Sequence, residues 1–244
     1  MSYIWPAAAI AALLLAACRR GPSAAPEDYA RMRQDMVDQI AQYPAEQRVR
    51  DPRVLAAMRK VPRHEFVPAG VRHLAYADTP LDIGEGQTIS QPYMVGFMTQ
   101  ALELQPENKV LEVGTGSGYQ AAILAELARE VYTIEIVETL ASQARTTLER
   151  LGYRNIRSKA GDGTLGWPEH APYDAIMVTC APERIPQALA AQLREGGRLA
   201  IPLGPESRGQ ELVVLRKTAS GLREETRMPV RFVPMTGAVQ RPGR

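Results

Sequence analysis

Apolar and polar residues follow two alternating patterns from residue 109 onwards. Short apolar runs of strand length are separated by segments in which apolar residues recur every three or four positions, as on one face of a helix. This alternation indicates an α/β fold with a doubly wound, Rossmann-like and mostly parallel sheet covered on both faces. The predicted strands are 109–114, 130–136, 155–163, 173–179 and 196–204, and the predicted helices are 119–128, 138–151 and 185–193.

Other patterns precede and follow this region. Apolar residues at helical spacing predict an N-terminal helical segment with helices over 28–42 and 51–60, and a further helix from Pro92 to Leu104. Segments 210–217 and 223–235 predict a closing antiparallel pair, which brings the sheet to about seven strands. We divide the globular part, 28–244, into three regions: N-terminal helices with a lid loop at 28–108, a cofactor-binding core at 109–204 and C-terminal strands at 205–244.

The first 27 residues have the composition of an export segment and are left out of the fold. Residues 1–18 are almost wholly apolar and end in Leu-Ala-Ala-Cys, which resembles a bacterial lipobox whose cysteine is lipidated. The run is short for a membrane span and fits a signal-peptide core, although no Lys or Arg precedes it. Residues 19–27 resemble a flexible tether, so this interpretation includes a membrane tether through a lipidated Cys18.

Composition narrows the classes of function. The chain has 244 residues, 45% of them hydrophobic and 23% charged, with a formal net charge of +2. This charge gives no case for nucleic acid as a partner. The two cysteines and three histidines lack zinc-ligand spacing, so no metal is expected. Cys180 is interpreted as a small buried thiol, and a Cys18–Cys180 disulfide is left open without support.

A glycine-rich turn follows the first strand of the core. Gly114, Gly116 and Gly118 open the next helix, where backbone amides can approach a ligand closely. The third glycine comes one residue too early for the dinucleotide fingerprint, and the phosphate-binding G-x-x-x-x-G-K-[ST] motif is missing. A tight turn that binds nothing remains the alternative.

Acidic residues stand at the ends of the first two core strands. Glu135 comes 21 residues after Gly114, where a carboxylate can accept hydrogen bonds from both ribose hydroxyls. Glu112, near the end of the first strand, is a candidate for contact with an ammonium group. Glycines, acids and no phosphate-binding lysine suit a cationic adenosyl amino acid better than a pyrophosphate.

These features resemble the class I S-adenosylmethionine-dependent methyltransferases. The resemblance implies a third contact at Asp162-Gly163, a carboxylate that reaches the adenine amino group. An ordinary Asx turn is the alternative for Asp162, because Asp-Gly is a turn dipeptide. The candidate cofactor-binding residues are Glu112, Gly114, Thr115, Gly116, Ser117, Gly118, Glu135, Ile136, Asp162, Gly163 and Thr179.

Further motifs narrow the range of groups that the enzyme could methylate. The fourth core strand is not followed by the Asn/Asp-Pro-Pro-aromatic stretch that is usual where amino nitrogens are methylated. GQTISQPYM, LEVGTGSGYQ, GDG, PYDAIMVT and RFVPMTG occur in that order. Together they resemble the protein-L-isoaspartate (D-aspartate) O-methyltransferase family over residues 39–237. The resemblance implies a protein repair enzyme that methylates the free carboxylate of L-isoaspartyl residues in damaged proteins, giving an ester that converts through a succinimide towards aspartate.

The same resemblance implies roles for the loop 84–96, interpreted here as a lid over the cofactor that holds the acceptor carboxylate. Ser90 takes the active-site serine position and is the candidate catalytic residue. The alternative is that Ser90 caps the following helix. The candidate substrate-binding residues are Thr88, Ile89, Ser90, Gln91 and Thr236, and an ordinary threonine at the end of a strand is the alternative for Thr236.

Several alternatives remain at this point. The rival functions are a methyltransferase for a small-molecule or RNA acceptor and a module that binds the cofactor without transfer. A nicotinamide dehydrogenase is disfavoured by the glycine spacing. The chain is expected to be a monomer. The cytoplasmic supply of S-adenosylmethionine favours a cytoplasmic location, and the alternative is an exported envelope lipoprotein anchored at Cys18.

Overall fold

The computed structural model describes residues 28–45 and 48–237. Two predicted helices begin the described chain, α1 (Tyr29–Ile40) and α2 (Pro52–Lys60). The Asp28 and Asp51 carboxylates cap them by accepting hydrogen bonds from the amides of the third and second residues that follow. Two short 3-10 turns, Arg63–Phe66 and Ala69–Leu74, lead on to the lid. The signal and tether interpretation of residues 1–27 lies outside the described residues.

A β-hairpin forms half of the segment that the sequence suggested was a loop. Strands β1 (Leu81–Gly84) and β2 (Gln87–Ile89) pair antiparallel, and helix α3 (Pro92–Ala101) follows. Leu81, Ile83 and Ile89 are buried while the residues between them are more exposed, which is the period of a strand. The loop prediction was therefore wrong for this half, because the alternation was too short to detect among polar residues.

A seven-stranded sheet forms the centre of the molecule, in the order β5-β4-β3-β6-β7-β8-β9. The first five strands in this order, from β5 to β7, pair parallel to their neighbours. The pairs β7–β8 and β8–β9 are antiparallel. This mostly parallel sheet confirms the predicted fold class. The chain order reverses between β3 and β6, so the ends of these two strands form the switch point. The strands are β3 (Lys109–Val113), β4 (Glu130–Glu135), β5 (Ile156–Ala160), β6 (Tyr173–Val178), β7 (Leu193–Leu203), β8 (Gln210–Thr218) and β9 (Gly221–Val230).

Apolar cores lie on both faces of this sheet. Along β3, Val110 packs into one core and Leu111 and Val113 into the other, as the strand period of two requires. The crossover helices are α4 (Tyr119–Ala125), α5 (Glu138–Arg150) and α6 (Gln187–Gln192). No helix in the described part of the chain is long and apolar enough to span a membrane.

Some element ends differ from the sequence-based bounds. Helix α3 stops at Ala101 rather than Leu104, because Glu103 adopts a left-handed conformation with φ 49°. The last strand ends at Val230, and the chain after it leaves the sheet edge. Pro234 instead forms an isolated bridge with Ala181, next to the switch point. The C-terminal segment thereby returns to the end of β6.

Candidate functional site

A cavity opens at the switch point, where strands β3 and β6 end. It encloses about 790 Å³, part of which is open solvent. The glycine turn, the end of β4, the lid and the C-terminal segment surround it. The predicted residues that line it are Thr88, Ile89, Ser90, Gly114, Thr115, Gly116, Ser117, Glu135, Ile136, Gly163, Thr179 and Thr236. We call this space the switch-point cavity.

The glycine turn lies against the end of β6. The Thr179 amide donates to the Val113 carbonyl at 2.9 Å, and the Thr179 hydroxyl donates to the Gly114 carbonyl at 2.5 Å. Gly114 has φ 96°, and a Cβ there would overlap the Thr179 hydroxyl. Only glycine meets both requirements without strain. Thr179 therefore fixes the path of the turn as well as lining the cavity.

Glu135 is the one charged side chain among the described residues that line the switch-point cavity. Its two carboxylate oxygens accept from the backbone amides of Gly116 at 2.8 Å and Val137 at 3.0 Å. Each oxygen has a further lone pair, so the carboxylate can still accept hydroxyl donors. Ile136 beside it is 41% exposed, which places an apolar surface at the cavity mouth.

Glu112 does not line the switch-point cavity. Its side chain is fully buried on the opposite face of β3 from Val113, and Thr133 on β4 donates to its Oε2 at 2.5 Å. The Thr133 hydroxyl in turn bonds that of Thr115 at 2.6 Å, so a short buried chain reaches the glycine turn. The other Glu112 oxygen has no hydrogen-bond partner among the described residues. Burial raises the pKa of this carboxyl to about 8, against the Thr133 bond that lowers it.

Gly118 and Asp162 also lie outside the lining. Gly118 precedes α4 and packs against α5, where a Cβ would be 3.3 Å from Ala144. The Asp162 carboxylate accepts from the Thr164 amide at 2.9 Å and caps a 3-10 turn, Gly163–Leu165. The Asx-turn contact considered from sequence is therefore present. Contact of Asp162 with a ligand stays a prediction.

The lid contributes one wall of the switch-point cavity. Thr88, Ile89 and Ser90 run along it between β2 and α3. The residue that caps α3 is Gln91, and it makes no side-chain capping bond. The alternative that Ser90 only caps this helix is therefore wrong, because the helix begins one residue later than that role requires.

A second cavity of about 1550 Å³, part of which is open solvent, lies on the other side of the lid. Its described lining includes Arg231 and no Asp or Glu, so its formal charge is positive. Aromatic, methionine and proline side chains make up most of the remainder. The residues that line both cavities are Thr88, Ser90, Thr179, Val233 and Pro234. We call this space the outer cavity.

The C-terminal segment covers the boundary between the cavities. The Ala181 amide donates to the Val233 carbonyl at 2.8 Å, and the Met235 amide donates to the Ala181 carbonyl at 2.8 Å. These bonds hold the segment across the end of β6. Thr236 follows as an exposed residue at the rim of the switch-point cavity.

The sequence analysis missed several residues around these cavities. Tyr43 and Arg231 line the outer cavity, and Asp78 bonds the residues that begin α3. No local pattern marks Tyr43 and Asp78, because the bonds of Asp78 to Tyr43 and to the start of α3 span 13 to 35 residues. Arg231 begins the RFVPMTG motif but was not singled out within it. Cys180 is half-buried and lines the switch-point cavity, and burial raises the pKa of its thiol to about 12, so the thiol stays protonated at neutral pH. The other cysteine, Cys18, lies outside the described residues.

Comparisons with known proteins agree on one family. The sequence profile described as Protein-L-isoaspartate(D-aspartate) O-methyltransferase (PCMT) matches residues 32–240. The chain belongs to this family. Among the described residues, no cluster of three or more His, Cys, Asp or Glu side chains is arranged to hold a metal ion.

Individual relatives carry the same name. A Protein-L-isoaspartate O-methyltransferase of Picosynechococcus sp. is 60% identical over 189 residues, which cover 78% of this chain and 84% of the relative. One from Synechococcus sp. is 54% identical over 220 residues, which cover 88% of this chain and 89% of the relative. A solved structure titled protein-L-isoaspartate O-methyltransferase has a TM-score of 0.77 at 29% identity, over 85% of this chain and 67% of its own.

Replacing Gly114 tests the glycine turn of this methyltransferase. We expect Gly114→Ala to weaken S-adenosylmethionine binding roughly 10-fold or more, because the new Cβ meets Thr179 and φ 96° is strained for alanine. Titration calorimetry gives the Kd. Gly152→Ala is the matched control, since its φ of 86° imposes similar strain in open space away from both cavities. Equal affinity in the two variants would contradict the assignment.

Glu112 should make stability depend on pH. Its folded pKa of about 8 lies above the ordinary 4.5, so the folded protein keeps a proton that the unfolded chain releases. The stabilisation is complete below about pH 4.5, and the free energy of unfolding falls by about 1.4 kcal/mol per pH unit as pH rises towards 8.

Glu112→Gln should remove this dependence. Thermal or urea unfolding at pH 5 to 8 should show that the free energy of unfolding of the variant rises relative to that of the original protein as pH rises. Parallel curves for the two proteins would rule out a carboxyl that is neutral when folded.

Proposed function

We propose that this chain transfers a methyl group from S-adenosylmethionine to the free carboxylate of L-isoaspartyl residues in damaged proteins and peptides. The observation that carries this proposal is the pair of cavities that share a wall. The switch-point cavity has a negative side chain in its lining, and the outer cavity has a positive one. A cationic donor and an anionic acceptor would therefore meet across Thr88, Ser90 and Thr179.

The switch-point cavity suits S-adenosylmethionine, which supplies a methyl group already activated by its sulfonium. Glu135 can accept hydrogen bonds from ribose hydroxyls while it remains bonded to the Gly116 and Val137 amides. Ile136 offers an apolar surface for a planar base. The glycine turn lets the backbone approach the amino acid portion. We assign these residues the task of binding and orienting the cofactor.

The outer cavity suits a peptide that carries an extra carboxylate. Arg231 lines it, and its guanidinium charge favours an anion. Met94, Met228 and Phe232 provide apolar contact for the flanking residues of a polypeptide. The cavity is open to solvent along one side, so a polypeptide can enter it without being enclosed.

The chemistry asks little of the protein beyond placement. An ionised carboxylate is nucleophilic at neutral pH, so no general base is needed. The chain contributes orientation of the two reactants and exclusion of water from the space between opposite charges. Ser90 stands at the shared wall with a hydroxyl that can donate to the acceptor carboxylate.

Methyl transfer to matched peptides tests the function. With methyl-labelled S-adenosylmethionine, base-labile label should appear on an isoaspartyl peptide and not on its aspartyl counterpart. Ser90→Ala should lower the acceptor kcat/KM by roughly 10- to 100-fold while changing cofactor affinity less than about twofold, because it removes one donor at the junction. Ser142→Ala, on the exposed surface of α5, is the control. Label on both peptides, or on neither, would contradict the proposal.

The cellular location and the oligomeric state of the protein are part of the same proposal. We infer a monomer in the cytoplasm, because S-adenosylmethionine is made there. The alternative is an envelope lipoprotein anchored through Cys18. Intact-mass measurement of the protein purified from its native host distinguishes the two: an N-terminus before Cys18 fits the first, and a lipidated Cys18 at the N-terminus would overturn it.

A further inference from the structure

Asp78 is the centre of a hydrogen-bond cluster behind the lid. Its Oδ1 accepts from the Tyr93 backbone amide at 2.8 Å, and its Oδ2 accepts from the Gln91 side-chain amide at 3.0 Å. The Tyr43 hydroxyl also donates to Oδ2. This carboxylate therefore receives three donors from segments that lie 13 to 35 residues away along the chain.

These bonds substitute for a missing helix cap. Helix α3 begins with Pro92, and its N-cap residue is Gln91. The Gln91 side chain makes no capping bond, and the first turn of the helix contains no acidic residue. The free amide of Tyr93 is instead satisfied by Asp78, from outside the helix. A negative side chain at a helix N-terminus is also favoured by the helix dipole. The start of α3, and with it the position of Ser90, depends on this long-range contact.

The partners of Asp78 form a wall of the outer cavity. Tyr43, Gln91 and Tyr93 all line this cavity, whereas Asp78 lines neither cavity. The rings of Tyr43 and Tyr93 stack with centroids 4.4 Å apart and an interplanar angle of 7°. The bond to Asp78 raises the pKa of Tyr43 to about 12, so its hydroxyl keeps the proton that it donates. The carboxylate thus joins the chain after α1 to the start of α3.

We propose that Asp78 is a positioning residue for the acceptor. It holds the Ser90–Gln91 turn and the stacked Tyr43–Tyr93 pair in one arrangement, so that an acceptor carboxylate in the outer cavity meets the shared wall. The inference rests on the proposed function. It assigns to this carboxylate a control over acceptor methylation that is separate from cofactor binding, because the contacts of Glu135 and the glycine turn do not involve it.

The test compares variants of the full chain in the peptide assay. Asp78→Ala should lower the acceptor kcat/KM roughly 10- to 100-fold, mostly through KM, with the cofactor Kd changed less than about twofold. Asp78→Asn should lower the acceptor kcat/KM less, since the carbonyl oxygen of asparagine can still accept from the Tyr93 amide. Tyr43→Phe keeps the ring stack and removes one hydrogen-bond donor, so it should lower the acceptor kcat/KM least of the three variants.

Asp51→Ala is the matched control for a merely structural role. It removes the carboxylate that caps α2, away from both cavities, and so also costs a helix its N-terminal cap. It should lower the thermal midpoint without moving the acceptor KM. Equal acceptor KM in Asp78→Ala and Asp51→Ala would overturn the inference, as would a parallel loss of cofactor affinity in Asp78→Ala.

The original protein distinguishes failure of this inference from failure of the proposed function. If it labels the isoaspartyl peptide and the Asp78 variants label it equally well, only the positioning role falls. If the original protein binds cofactor and labels neither peptide, the proposed function falls and the assignment of Asp78 falls with it. Should Asp78→Ala not fold, Asp78→Asn and Tyr43→Phe carry the same comparison.

Discussion

The close approach between the end of β6 and the turn after β3 is the constraint on which the site depends. Parallel register places Val113 beside Val178, so the next residues, Gly114 and Thr179, lie side by side. The Thr179 hydroxyl occupies the place that a Cβ of residue 114 would need. Only glycine fits at position 114 of the turn. The path of the turn then brings the Gly116 amide to Glu135 on the neighbouring strand. One contact at the switch point thus connects the ends of three strands.

Much of the fold was predictable because it follows from local periodicity. Buried strands in a parallel sheet are continuous apolar runs, and the helices between them are amphipathic, so both leave a signal within a dozen residues. The hairpin formed by β1 and β2 left almost none. Its strands are four and three residues long, and its turn is polar. Such a pair is held by packing against the rest of the protein rather than by its own sequence.

A residue's place in a strand decides whether its side chain can reach the switch-point cavity. Glu135 ends β4 and reaches the switch-point cavity, as expected from its position. Glu112 lies one residue before the end of β3, and the strand period turns its side chain to the interior, beside Thr133. Motif spacing gave no sign of this difference. Asp78 was missed for another reason, since its partners are brought together only by the tertiary fold.

The two cavities differ in which parts of the chain build them. The switch-point cavity takes its glycine turn, Glu135 and Gly163 from the core sheet and its crossovers. The outer cavity is built mainly by the chain after α1, the β1–β2 hairpin, the start of α3, and the end of β9 with the segment that follows it. Its wall depends on side-chain contacts such as those of Asp78 rather than on sheet register. A change in this wall can alter the acceptor while leaving the glycine turn intact, because no bond of the Asp78 cluster passes through the core sheet.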